Sequence, residues 1–156
     1  MKLKIIKNTP LKLDQLNEYE KEFNLVIPKE YKDFLLESNG GEISKFSYIK
    51  SKHIKKKIWL HELWKIDHTF DCLRSSIEVY KERPDADHLD MELFKRGHLL
   101  IGMTSVDEFI SICFKGNREG TVFNVWYDGD IELEEIRYSF DDFINGFEYE
   151  ENLPKE

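Results

Sequence analysis

A chain of 156 residues with 40% hydrophobic and 13% aromatic side chains can bury an ordinary core, so it needs neither a disulfide nor a metal to fold. No apolar run approaches the ~18 residues of a membrane helix, and the first 15 residues lack a signal-peptide pattern, so we expect one cytosolic domain over residues 1–156. The net charge of −8 disfavours non-specific binding to nucleic acid and favours a basic protein partner.

Two helices are predicted within the first forty residues. The first spans residues 14–24, with Asp14 as its N-cap and Asn24 at its end. The second begins at Pro28, because proline suits the first helical position, and it ends at the sequence Asn39-Gly40-Gly41, whose residues tolerate the left-handed conformation. The apolar stripe of this second helix consists of Tyr31, Phe34 and Leu35.

The middle of the chain has a weaker pattern. Residues 43–49 and 57–66 are predicted to be strands or extended segments, although their apolar alternation is imperfect. Residues 69–83 have apolar side chains at helical spacing and precede Pro84, which predicts a helix. A shorter helix is predicted over residues 87–96, closed by Gly97.

Strands dominate the second half. Residues 99–102, 109–114 and 121–127 are rich in β-formers, and the turn Asp128-Gly129 predicts a hairpin into residues 131–136. A last helix is predicted over residues 139–151, with Ser139 as its N-cap and Asp142 completing a capping box. The chain is therefore predicted to be α+β, a mainly antiparallel sheet packed by N-terminal helices and a C-terminal helix.

The residues from Leu25 to Gly41, read with Glu20 before them, resemble the N-terminal signature of the SUKH superfamily, the Smi/Knr cell-wall-regulator type. That signature is a helix, a short loop, Leu-Pro-x-x-Tyr-x-x-Phe-Leu and then Asn-Gly-Gly; here Ile27 stands in place of the leucine. The second half is similar in the same order, over residues 99–102, 108–114, 120–128 and 139–144, whereas residues 45–90 match least.

The resemblance implies a SUKH-like α+β fold and a protein-binding function. Most bacterial members resemble immunity proteins, which stay in the cytosol of the producing cell and neutralise a polymorphic toxin, often a nuclease, by direct binding. The alternative is a regulatory or scaffold module of the same fold that has no toxin partner. The signature residues themselves are explained by packing and by helix ends, so they indicate the fold and not the binding site.

Patterns typical of catalysis or metal binding are weak. The five histidines fit no zinc module, and His68 with Cys72 supplies only two ligands of the usual four. The chain has no nucleophile elbow and no phosphate-binding glycine loop, although members of a catalytic triad meet only in the fold. Cys113 in an apolar strand is interpreted as a small core residue, and both cysteines as buried thiols. We expect no enzyme activity, no cofactor and no metal.

The lysine-rich stretch from Lys50 to Lys57, near Trp59 and Trp64, has two interpretations. Basic residues beside aromatic rings are typical of single-strand nucleic-acid binders. The negative net charge and the lack of a known motif instead favour a solvated loop, or a strand edge protected by lysines.

The functional prediction rests on the acidic second half, since residues 119–156 contain 12 acidic and 2 basic side chains. Acidic residues at alternate positions of one strand project together and would suit a cationic toxin, with an aromatic anchor beside them. The alternative is that the tryptophan packs in the core and that the acidic side chains serve solubility. The predicted partner-binding residues are Trp126, Tyr127, Asp128, Asp130, Glu132 and Glu134.

Overall fold

The computed structural model describes residues 2–150, so residues 1 and 151–156 of the predicted domain lie outside it. The helices are α1 Leu13–Phe23, α2 Lys29–Glu37, α3 Ile66–Glu82, α4 Leu89–Lys95 and α5 Phe140–Asn145, with a 3₁₀ turn at Gly116–Arg118. The strands are β1 Ile5–Lys7, β2 Gly41–Ile43, β3 Ser47–Lys50, β4 Lys57–Leu63, β5 His98–Thr104, β6 Phe109–Cys113, β7 Val122–Asp128, β8 Asp130–Arg137 and β9 Glu148–Tyr149.

Antiparallel pairs join all nine strands into one sheet. Its main order is β1-β2-β4-β5-β6-β7-β8, and β3 pairs with both β4 and β9 beside this path. The strands β5 to β8 follow one another as a meander, because short loops connect neighbouring antiparallel strands. The α+β prediction is confirmed.

Apolar side chains form one large core and one smaller cluster. The large core joins α1, α2, α3 and α5 to the sheet through fully buried residues such as Leu16, Leu35, Phe70, Phe143 and Ile112. The smaller cluster consists of Trp64, Leu93, Leu100 and Val125. Leu100 and Val125 alternate along their strands with large-core residues, so the two clusters use opposite faces of the sheet.

The segment that resembles the SUKH signature builds the predicted second helix. Tyr31 and Leu35 of α2 are 1% and 0% exposed. Glu20 of α1 accepts a hydrogen bond from the Ile27 N–H at 2.9 Å and pairs with Lys32 at 2.6 Å, so it fixes the loop before α2. The signature residues therefore pack α2 and fix the loop before it in this chain.

The Asn-Gly-Gly sequence after α2 has two structural tasks. The Asn39 Oδ1 accepts the Ile66 N–H at 2.9 Å, which satisfies a backbone donor at the first residue of α3. Gly40 has a φ of +74°, and a Cβ there would lie 2.4 Å from the Trp64 carbonyl oxygen. A side chain at Gly40 is therefore excluded both by conformation and by space.

Several predicted boundaries are wrong. Lys12, not Asp14, is the N-cap of α1, where the Gln15 Oε1 accepts the Lys12 N–H at 3.0 Å. The predicted strand over 57–66 ends at Leu63, because α3 begins at Ile66 and not at residue 69.

The final helix is shorter than predicted. Its Ser139 cap is confirmed, since the Ser139 Oγ accepts the Asp142 N–H at 3.2 Å. The predicted helix 139–151, whose last residue lies outside the described part, ends at Asn145 because Gly146 follows. The chain then forms β9, which pairs with β3. Over residues 2–150, no helix combines the length and apolarity needed to cross a membrane.

Candidate functional site

The predicted partner-binding residues lie on the hairpin of β7 and β8, which turns at Gly129 with a φ of +79°. In the strand register Asp128 faces Asp130, Trp126 faces Glu132, and Asn124 faces Glu134. Side chains of directly paired residues share a face of the sheet, so these side chains lie together as predicted. Tyr127 pairs with Ile131 and lies on the opposite face.

The acidic row divides into an exposed part and a covered part. Asp128, Asp130 and Glu132 are exposed, and among the described residues no ion pair reaches them. We call these three residues the acidic tip. Glu134 is half-buried instead, and both its carboxylate oxygens are shielded from solvent without a hydrogen-bond partner in residues 2–150. The free acidic surface is therefore smaller than the sequence pattern indicated.

Trp126 lies between the core and the solvent. Its side chain is half-buried and belongs to neither apolar cluster, while the Lys56 Nζ lies 5.1 Å from its ring centroid. Lys56 also pairs with Glu108 at 3.1 Å, and the Asn124 Nδ2 donates to the same Glu108 Oε1 at 3.2 Å. A cation over an indole ring stabilises this arrangement by roughly 0.5–1 kcal/mol at an exposed site. Trp126 is thus held at the surface beside the acidic tip.

The lysine-rich stretch, residues 50–57, folds against the base of this hairpin. Residues 52–56, in the loop between β3 and β4, are exposed, which confirms the prediction of a solvated loop. The Lys52 N–H donates to the Glu135 carbonyl oxygen at 3.1 Å, and the Arg137 Nη1 donates to the Lys50 carbonyl oxygen at 2.7 Å. The loop therefore covers part of the outer edge of β8.

Glu135 is the ionic anchor of this contact. Burial alone would raise the pKa of its carboxyl group, but Lys52 at 2.9 Å, Arg118 and His53 hold the pKa below its ordinary value. Glu135 is consequently charged and compensated within the chain. The lysine-rich stretch neutralises the base of the hairpin and leaves the acidic tip uncompensated.

Two contacts between side chains typical of nucleophilic sites occur elsewhere. The His98 Nδ1 lies 3.2 Å from the Ser111 Oγ, but Ser111 is fully buried, so a substrate could not reach its hydroxyl group. Burial, with Arg96 and Arg118 nearby, lowers the pKa of His98 from 6.5 to about 4, so this histidine is neutral at pH 7.

His68 and Cys72, one helical turn apart, are in contact, with the Sγ 3.6 Å from the Nε2. Burial raises the pKa of the Cys72 thiol, which is the opposite of nucleophile activation. In the part of the chain that the structure describes, no group of three or more potential metal ligands comes together. Both cysteines are free; Cys113 is buried as predicted, whereas Cys72 is only partly buried, contrary to prediction.

Sequence reasoning missed the polar residues that support Trp126. Glu108 directly precedes β6 and Asn124 lies on β7, so the pairing of these two strands brings them together. Asn124 gave a readable signal, because it is a polar residue at the centre of an apolar strand and is fully buried. Lys56 gave no such signal, because it lies 70 residues before Trp126 in the sequence and reaches the hairpin only in the fold.

Comparison with curated protein sequences finds no match. Comparison with family models finds the SMI1 / KNR4 family (SUKH-1), whose model matches residues 10–146. The match includes the signature helix α2, the meander β5 to β8 and the closing helix α5. The chain belongs to the SMI1 / KNR4 family (SUKH-1).

Proposed function

We propose that this chain is an immunity protein that acts in the cytosol of the producing cell and neutralises a cognate toxin by binding it directly. The toxin is of the nuclease class, and the chain acts by occupying its surface and not by catalysis. Family membership supports the fold on which such proteins are built.

The observation that carries the proposal is the uncompensated acidic tip beside a surface tryptophan. The acidic tip lies at the end of the β7–β8 hairpin, whereas the neighbouring Glu135 has its charge balanced within the chain. Trp126 supplies apolar area of the kind that dominates binding energy at protein interfaces.

A nuclease suits this surface because it must attract phosphate groups with its own basic side chains. An acidic protein surface competes for the same charges and increases the rate of encounter. The net charge of −8 acts in the same direction at longer range.

The test is co-expression with the toxin encoded by a neighbouring gene. The wild-type chain restores growth, and Asp130→Lys/Glu132→Lys loses this protection because it reverses two charges of the acidic tip. The matched control is Glu18→Lys/Glu119→Lys, which makes the same charge change at exposed positions on α1 and in the loop before β7. Failure of the wild type to protect, or equal protection by both variants, contradicts the proposal.

A further inference from the structure

A groove of about 670 Å³ lies between α3, the start of α4 and the sheet. We call it the α3 groove. Its apolar lining includes Val79, Leu89, Phe109 and Tyr127, and two of these are well exposed, Val79 at 43% and Tyr127 at 49%. Along α3 the lining runs from Asp71 to Val79, about 12 Å at the helical rise per residue.

The polar groups of the α3 groove are rich in acceptors. Asp71, Asp87 and Asp90 line it, and none of its lining residues is a lysine or arginine, although Arg74 beside it pairs with Asp71 at 2.7 Å. Asp90 is half-buried, and burial raises the pKa of its carboxyl group by more than its backbone hydrogen bond and the nearby His68 lower it. A cation supplied from outside would favour the charged form of Asp90.

His88 adds a buried acceptor to the same lining. It is 6% exposed, and its Nε2 lies 2.8 Å from the Arg83 carbonyl oxygen, so this nitrogen must donate. The Nδ1 of the neutral ring is then an acceptor, and it has no hydrogen-bond partner among residues 2–150. A buried acceptor without a donor is costly, so the polar lining of the α3 groove is incompletely satisfied within the described chain.

We propose that the α3 groove binds a basic amphipathic helix of the partner protein, with apolar side chains on Val79 and Tyr127 and a lysine or arginine donating to Asp87 or Asp90. This inference rests on the proposed function, and it names the chemistry of the partner and a second contact surface for it. Tyr127 of the α3 groove directly precedes Asp128 of the acidic tip and lies on the opposite face of β7, so the two surfaces meet at the end of the hairpin from its two sides. The helical spacing of the α3 lining suits the packing of one helix on another.

Cys72 provides a reporter within the α3 groove. It is the partly exposed cysteine and lines the groove, whereas Cys113 is buried. The probe is an 18-residue amphipathic helical peptide of leucine, alanine and lysine, and a counterpart with glutamate in place of lysine is its control. At saturation the lysine peptide should slow modification of Cys72 by a thiol reagent at least tenfold, and the glutamate peptide should leave the rate unchanged. Cys72→Ser identifies the reacting thiol.

Charge variants test whether the lysine peptide binds in the α3 groove or responds only to the overall negative charge of the chain. Asp87→Lys should weaken binding of the lysine peptide at least tenfold, whereas Asp85→Lys, an equal charge change at an exposed residue outside the lining, should alter it less than twofold. Asp130→Lys/Glu132→Lys should retain protection of Cys72, since these residues lie outside the lining. If Asp87→Lys does not fold by circular dichroism, Tyr127→Ser takes its place with the same expected loss.

The proposal is overturned if the lysine peptide leaves Cys72 reactive, or if Asp85→Lys weakens binding as much as Asp87→Lys. Failure of the proposed function is a separate result. If the wild-type chain neutralises no neighbouring toxin but the lysine peptide still slows modification of Cys72, the immunity function is contradicted and the proposal for the α3 groove stands. An Asp87→Lys variant that still binds and neutralises the toxin like wild type defeats the α3 groove as its contact surface and keeps the function.

Discussion

Tyr31 and Leu35, in the signature segment (residues 25–41), are almost completely buried, whereas the three carboxylates of the acidic tip are exposed. Both regions contain a glycine in the left-handed conformation, but Gly40 is crowded by backbone while Gly129 has nothing within 4 Å of its missing Cβ. The residues by which the family is recognised therefore build the scaffold. The proposed binding chemistry lies where neighbouring structure places few constraints on the side chain.

The two glycines test this contrast most strongly. Gly40→Ala places a Cβ 2.4 Å from the Trp64 carbonyl oxygen and 2.5 Å from that of Leu63, so the free energy of unfolding should fall by roughly 3–5 kcal/mol. Gly129→Ala adds only left-handed strain, with a loss of about 1–2 kcal/mol. Urea unfolding monitored by tryptophan fluorescence measures both. Equal losses would remove the distinction between the two regions.

The buried His98 extends the comparison to acid conditions. Because its pKa falls from 6.5 to about 4 on folding, the unfolded chain binds more protons between these values, and stability decreases as pH falls through that range. The decrease in the free energy of unfolding due to His98 reaches about 3 kcal/mol at acid pH, and it disappears as the pH rises above 6.5. His98→Gln should flatten the pH dependence of the free energy of unfolding between pH 4 and 6.5, whereas the exposed His61→Gln should not. Parallel profiles for wild type and His98→Gln would contradict this account.

Tyr31 sharpens the structural interpretation of the signature segment. Its hydroxyl group is buried without a hydrogen-bond partner among the described residues, and burial raises its pKa. Tyr31→Phe should therefore leave the free energy of unfolding unchanged or raise it by up to about 1 kcal/mol. Tyr19→Phe is the control and should be destabilising, because the Tyr19 hydroxyl donates to Asp67. A clear loss of stability in Tyr31→Phe would indicate that this hydroxyl group has a task that packing does not explain.

The acidic tip should show the smallest effect on stability. Asp130→Lys/Glu132→Lys changes exposed side chains without ion pairs among the described residues, so the free energy of unfolding should stay within about 0.5 kcal/mol of wild type. Thermal and urea unfolding check this directly. A larger loss would mean that the acidic tip also stabilises the fold, which would contradict its separation from the signature segment.

Local signals predicted the parts of the fold that depend on neighbouring residues. Pro28 and the stripe of α2 predicted the second helix, and Ser139 predicted the start of α5. The predicted ends of the second helix were wrong, because Pro28 is its N-cap and not its first residue, and the helix ends at Glu37 with Ser38 as an extended C-cap, before Asn-Gly-Gly. The short strands β1 and β9 were missed, because three or two residues hold no periodicity and their partners are distant in sequence. Gly146 indicated the end of α5, but the prediction extended the helix past this glycine because the apolar stripe continued beyond it.

The candidate site was predicted only in part for the same reason. Alternation along β8 correctly placed Asp130, Glu132 and Glu134 on one face. It could not show that the lysine-rich stretch covers the base of the hairpin, since the contact between Arg137 and Lys50 joins residues 87 positions apart. The α3 groove likewise depends on how α3 packs beside Tyr127, which no local pattern contains.

The most direct test of the central claim is the affinity of the purified chain for the toxin encoded beside it, measured at about 50 mM and about 300 mM salt. The acidic tip predicts tight binding that weakens at least tenfold at the higher salt concentration, together with a further tenfold loss and a shallower salt dependence in Asp130→Lys/Glu132→Lys. An affinity that neither salt nor this variant changes would contradict recognition through the acidic tip.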